Sequence, residues 1–138
     1  MSRYGVKMTF FDTHAIIFLY ADQVRIPTAV WSFLDGSELG FSPMARLELD
    51  FLYEIGRITE DPRAIIASLE RDYALKLETE GWGRAAEVAA TLTWTRDSFD
   101  RLITAHALVW GEPLLTKDRT IRKHYRHAFW DTPPDISA

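Results

Sequence analysis

The chain has 138 residues, 47% of them apolar and 26% charged, with 7 Gly and 6 Pro. That composition predicts one globular domain with a core of its own, and excludes a disordered or fibrous polymer. It contains no Cys, which removes disulfide scaffolds, thiolate-held zinc, iron–sulfur clusters and thiol nucleophiles, and makes a cytoplasmic location the default expectation. A net charge of −4 argues against coating nucleic acid by bulk positive charge but allows a local basic patch. The longest uncharged apolar run, Ala15–Ala21, is far short of the roughly 20 residues that cross a bilayer. Asp12, Thr13 and His14 interrupt the stretch in which a signal peptide needs a continuous apolar core.

Met8–Phe11 is a short aromatic-rich run that stops at Asp12, and Ala15, Ile16, Phe18, Leu19 and Tyr20 suit the helix that follows. Patterning starts at Thr9, so residues 1–7 read either as an extension ahead of a start at Met8 or as part of the first strand. Pro27 opens a second short helix ended by Asp35-Gly36, and Leu39–Phe41 is the next candidate strand. Ser42-Pro43 caps a helix to about Ile55, and Asp61-Pro62 caps another to about Glu70. A strand is expected near Tyr73–Leu77, a helix over Trp82–Leu92 and a loop over Thr91–Arg96. Asp97 then caps a helix that ends at Gly111, Leu114–Thr116 is a strand, and Asp118–Tyr125 is a last helix before a possible strand at Ala128–Trp130. Short strands alternating with helices predict a three-layer α/β/α sandwich on a short, mainly parallel sheet, spanning residues 1–130 with a flexible tail at 131–138.

In such sheets ligands bind beyond the carboxyl ends of the strands, and that rule selects four acids. Asp12 ends the first strand and Asp118 follows the Leu114–Thr116 strand, so both face one sheet edge. Glu48 falls in register with Ala45, Leu52 and Ile55, on the apolar side of its helix, and Asp100 shares a face with Ile103, Ala107 and Trp110. Each has a plain structural alternative: Asp12 and Asp118 as helix caps, Asp100 as a dipole partner, Glu48 as half of an ion pair. Gathered in one cleft, however, four carboxylates would repel and raise one another's pKa values unless a divalent cation neutralised them. An all-oxygen donor set suits Mg²⁺ or Mn²⁺, one or two ions, and such a site can hydrolyse phosphodiesters with activated water.

Four segments carry a resemblance: Phe10-Phe11-Asp12-Thr13-His14-Ala15, Ser42 with Glu48, Arg96 through Ile103 (RDSFDRLI), and Leu114-Leu115-Thr116-Lys117-Asp118. In order and spacing they resemble the motifs of the PIN-domain family, most of all its VapC-type toxin branch, over nearly the whole chain. Ser98 stands where that branch often has proline. The resemblance implies a metal-dependent endoribonuclease in which Asp12, Glu48, Asp100 and Asp118 form the carboxylate set and Thr116 and Asp97 support it. It also implies products with a 5′-phosphate and a 3′-hydroxyl, structured RNA loops as substrate, a homodimer and a cognate antitoxin protein.

Residues 117–127 hold Lys117, Arg119, Arg122, Lys123 and Arg126 against Asp118 alone, a net of +4, so the remainder carries −8. That segment is the candidate RNA track. His14 and His106 are better explained as helix and packing residues than as chemical groups, and Trp31, Trp82 and Trp110 fall on apolar faces. Two rival readings stay open: a receiver- or phosphatase-like domain, against which Asp12 lacks a neighbouring second acid, and a catalytically silent RNA- or protein-binding module of the same fold.

Overall fold

The computed structural model describes residues 4–135. Five strands form one sheet in the order β3-β2-β1-β4-β5, with every pairing parallel. They are β1 (Met8–Phe11), β2 (Glu38–Phe41), β3 (Lys76–Leu77), β4 (Leu114–Leu115) and β5 (Ala128–Phe129). Seven α-helices flank the sheet: α1 (Thr13–Ala21), α2 (Thr28–Asp35), α3 (Pro43–Glu54), α4 (Pro62–Tyr73), α5 (Trp82–Ala89), α6 (Ser98–Trp110) and α7 (Arg119–His124). A 3₁₀ turn at Gln23–Arg25 joins α1 to α2.

Parallel pairing forces each strand-to-strand connection to cross over a face of the sheet, and that crossover is right-handed. The chain walks outward from β1 to β2 to β3 and then returns across to β4 and β5, so the connections before and after β3 cross opposite faces, and α3 and α6 meet where Phe51 packs on Phe99. The order reverses beside β1, and at such a reversal two neighbouring connections diverge and leave a crevice. Here that crevice opens past the ends of β1 and β4. Phe10, Phe11, Phe41, Leu114 and Leu115 are fully buried in the central sheet, which has the near-continuous apolar character of a sheet covered on both faces.

The elements fall close to the sequence expectation, with three differences. First, α4 runs on to Tyr73, so the strand expected from Tyr73 is only Lys76–Leu77. Ala74, in the left-handed region at φ 56°, makes that break without a glycine. Second, the buried stripe of α3 is Ala45 and Leu49, with Ile55 exposed, which corrects the face on which Glu48 was placed: Glu48 is half-buried beside the core stripe and not within an apolar row. Third, the loose tail expected from residue 131 lies partly outside the described residues. Residues 131–135 form no helix or strand, and Pro134 and Asp135 border a groove with Lys7 and Met8.

Because Leu115 is fully buried at the β1–β4 seam and Leu47 is 54% exposed, the two separate packing from exposure. Leu115→Ala is expected to cost about 2–5 kcal/mol in urea unfolding and Leu47→Ala about 0.5 kcal/mol or less. Equal losses would contradict the placement of the core.

Candidate active site

Three of the acids at the sheet edge are helix N-caps. Asp12 Oδ1 accepts from the Ala15 N–H at 2.9 Å, Asp118 Oδ1 from Ile121 at 2.9 Å, and Asp97 Oδ1 from Asp100 at 3.0 Å. Capping and site-building do not compete here. A cap occupies part of one carboxylate oxygen and holds the side chain at the strand end, and the remaining lone pairs stay available.

Register sets which caps meet. The Asp12 N–H donates to the Leu115 carbonyl at 3.1 Å, which puts Asp12 next to Thr116 across the β1–β4 seam. Thr116 is fully buried, and its hydroxyl bonds the Asp12 carboxylate and accepts the Asp118 N–H at 3.1 Å. One hydroxyl thus ties the two strand-end acids together. Glu48 reaches in from α3 and accepts a short hydrogen bond from the Thr13 hydroxyl. Asp100, in the first turn of α6, stands beside Asp97.

These groups line one cleft of about 620 Å³. It holds all four predicted carboxylates together with Asp97, and also Lys117 and Arg119 from the basic segment. Arg122, Lys123 and Arg126 do not line it: the Arg122 guanidinium turns back to the Lys117 carbonyl at 3.0 Å, and Lys123 and Arg126 are exposed on α7 and the turn after it. Thr13, His14, Phe18, Ile103 and Thr120 complete the lining. Sequence reasoning had discounted His14 as a helix residue, yet it is exposed into the cleft and its charge favours the ionised forms of Asp12 and Glu48. Its only sequence signal was position, two residues beyond the strand-end acid. His106 is a core residue, as expected, with Nε2 on the Glu80 carbonyl at 2.7 Å and its ring against Phe10 and Trp82.

The electrostatics of the cleft oppose ionisation. Burial raises the Asp12 carboxyl to about 6 against the pull of the Thr116 and Ala15 hydrogen bonds, and Glu48 adds to the rise. Burial, with the neighbouring Asp97, Asp118, Glu48 and Asp12, lifts Asp100 to about 7, and burial also raises Glu48. Among the described residues no group of three or more His, Cys, Asp or Glu side chains already stands close enough to hold a metal ion. The acids share a cleft without meeting at a point, as separate caps and mutual repulsion require. The donor set itself fits a hard divalent cation: it is entirely oxygen, its acids repel one another, and a cation between them would relieve that repulsion.

The PIN-domain family model matches residues 9–127. The chain belongs to the PIN-domain family. Every acid of the cleft lies within the matched span. The fold is similar to VapBC2 from Rickettsia felis, solved bound to a DNA fragment from its promoter, with a TM-score of 0.65 at 13% identity over 90% of this chain and 99% of that one. FitAcB from Neisseria gonorrhoeae matches with a TM-score of 0.49 at 15% identity over 90% of this chain and 97% of that one. No curated protein matches. At these identities the likeness to solved structures establishes the fold alone.

Carboxyls raised in the folded state bind protons more tightly there than in the unfolded chain. Their contribution to stability is full below about pH 4 and is lost as pH rises through 6 to 7. In chelator, Asp100→Asn is therefore expected to melt higher than wild type at pH 8 and no higher at pH 5. Excess Mg²⁺ should raise the wild-type melting temperature more at pH 8 than at pH 5. A variant that melts below wild type at pH 8 in chelator would show instead that the ionised Asp100 is favourably held.

Proposed function

We propose that this PIN domain is a divalent-metal-dependent endoribonuclease of the VapC type, the toxin of a toxin–antitoxin pair. The observation that carries the reading is the convergence of Asp12, Glu48, Asp100 and Asp118, from four separated segments of the chain, on the crevice at the sheet's order reversal. Asp12, Asp100 and Asp118 are the cation ligands, and Glu48 either completes the set or holds the attacking water as general base. When bound, Mg²⁺ or Mn²⁺ supplies polarisation of the phosphoryl oxygen and activation of water. Thr116 fixes the spacing of Asp12 and Asp118, Asp97 holds the first turn of α6 and so places Asp100, and the Thr13 hydroxyl orients Glu48.

An acidic cleft repels the phosphate backbone, so its rim must supply the attraction. Lys117 and Arg119 lie at that rim, and Arg122, Lys123 and Arg126 continue the positive surface along α7 and beyond it, a track for RNA on the approach to the cleft. Single-stranded loops suit it, because their phosphates and bases are accessible to a shallow surface site.

A protein partner is supported by apolar side chains exposed along α3 and its end, Leu47, Phe51, Tyr53 and Ile55, which a free monomer would leave to solvent. The similarity of fold to VapBC2 favours an antitoxin partner, and the resemblance to the VapC-type branch implies a second copy of the chain. No helix among the described residues is long and apolar enough to cross a membrane, and a cytoplasmic location accords with the absence of cysteine.

Purified protein should cut single-stranded RNA with Mg²⁺ or Mn²⁺ and lose the activity in chelator. Asp12→Asn and Asp100→Asn should each lower the rate by about 100-fold or more. Full Mg²⁺-dependent cleavage by Asp12→Asn would overturn the assignment, and salt-sensitive RNA binding with no cleavage by any form would favour the silent binding module. Cleavage by wild type should weaken steeply as salt is raised; a flat response would remove the basic track from the account.

A further inference from the structure

Phe18 is a half-buried aromatic ring on the wall of a cleft otherwise lined mainly by charged and hydroxyl side chains. One edge of its surroundings is fixed by Trp130, whose ring meets it in a T-shaped contact at 5.7 Å. Two cations lie over the ring: the Arg25 guanidinium, 5.3 Å from the centroid, and the Lys117 ammonium at 6.0 Å. The ring quadrupole attracts both, so an apolar residue gathers positive charge at the mouth of an acidic site.

Arg25 reaches this position from the 3₁₀ turn Gln23–Arg25 that directly follows the ring's own helix, far in sequence from the basic segment. Its placement is built. The Arg25 N–H donates to the Asp22 carbonyl at 3.0 Å, and its Nε donates to Asp22 Oδ2 at 3.0 Å. That contact uses one of the five guanidinium N–H donors. The two terminal nitrogens have no hydrogen-bond partner among the described residues, and the side chain is about half exposed. A planar fork with its outer donors free, steadied by a carboxylate behind and a ring beneath, matches the bidentate geometry of a phosphate.

We infer that Arg25, held with Lys117 on the Phe18 ring at the wall of the cleft, is a binding residue for a backbone phosphate of the RNA substrate outside the acidic cleft itself. This rests on the nuclease reading of the cleft and extends it: Arg25 carries the positive surface from Lys117 at the cleft wall onto the 3₁₀ turn that follows α1. Phe18 is the positioning residue for the pair of cations.

The test is steady-state cleavage of a single-stranded oligoribonucleotide in Mg²⁺ by the full chain, separated into kcat and KM at several salt concentrations. Arg25→Ala should raise KM by about 5-fold with kcat changed less than 2-fold, and should flatten the salt slope by about 0.7, the loss of one phosphate contact on a single strand. Phe18→Leu should reproduce part of the KM rise, and Phe18→Trp, which keeps a ring under the cations, should restore it. Arg63→Ala, an exposed arginine of α4 paired to Asp61, is the control and should match wild type. An Arg25→Ala enzyme with wild-type KM and salt slope would overturn the inference while leaving the nuclease reading intact. Absence of cleavage by wild type would overturn both.

Discussion

The acidic cleft of this PIN domain depends on the pairing of β1 with β4. A single register places the Asp12 N–H on the Leu115 carbonyl, and from that bond follow the contact of Asp12 with Thr116 and the bridge from Thr116 to Asp118. A slip of one residue would turn the Asp12 and Thr116 side chains to opposite faces and dissolve the pair. The seam is correspondingly protected. Phe11 and Leu115 are fully buried on it, and Thr116, although polar, is equally buried because both sides of its hydroxyl are used. Packing energy at this seam therefore also fixes the geometry of the chemistry.

That geometry creates an electrostatic conflict, which the proposed cation site would turn to use. Desolvation and crowding push Asp12 and Asp100 toward the neutral form, which a domain evolved for stability alone would avoid by replacing one of them. The chain instead keeps each acid in place with a local device: caps at Asp12, Asp118 and Asp97, and the Thr13 hydroxyl on Glu48. These bonds offset part of the burial cost and leave enough unfavourable charge that a divalent cation has something to gain by entering. The positive groups follow the same economy of space. Lys117 and Arg119 directly flank Asp118 in sequence, so the α7 cap brings the rim of the cleft with it.

The strand-end acids were legible because they are local: an apolar run, an aspartate and a helix define both the cap and the sheet edge within five residues. The four motifs were likewise legible as a PIN pattern, and the family match covers them. The strand order was not, since pairing of β1 with β4 joins residues about a hundred positions apart and no periodicity encodes it. Glu48 was assigned to the right cleft for an incomplete reason. Its spacing with Leu52 and Ile55 suggested an apolar row, but α3 buries only Ala45 and Leu49, and Ile55 is exposed. The end of α4 was missed because Ala74 takes the left-handed conformation that normally announces itself as glycine. Phe18 and Arg25 were invisible as a pair for a different reason: in sequence Phe18 is one of several apolar residues that suit the first helix, and only the 3₁₀ turn brings the guanidinium over its ring.

If the cleft is a divalent-cation site as proposed, an entering ion must displace the protons that burial keeps on Asp12 and Asp100. Calorimetric titration of the full chain with Mn²⁺ at pH 6, in two buffers of different ionisation enthalpy, counts the protons released per ion bound. Release of roughly one to two protons is expected at pH 6 and almost none at pH 8.5, where Asp12 and Asp100 are already ionised. Binding with no proton release at pH 6, or no binding at either pH, would contradict it.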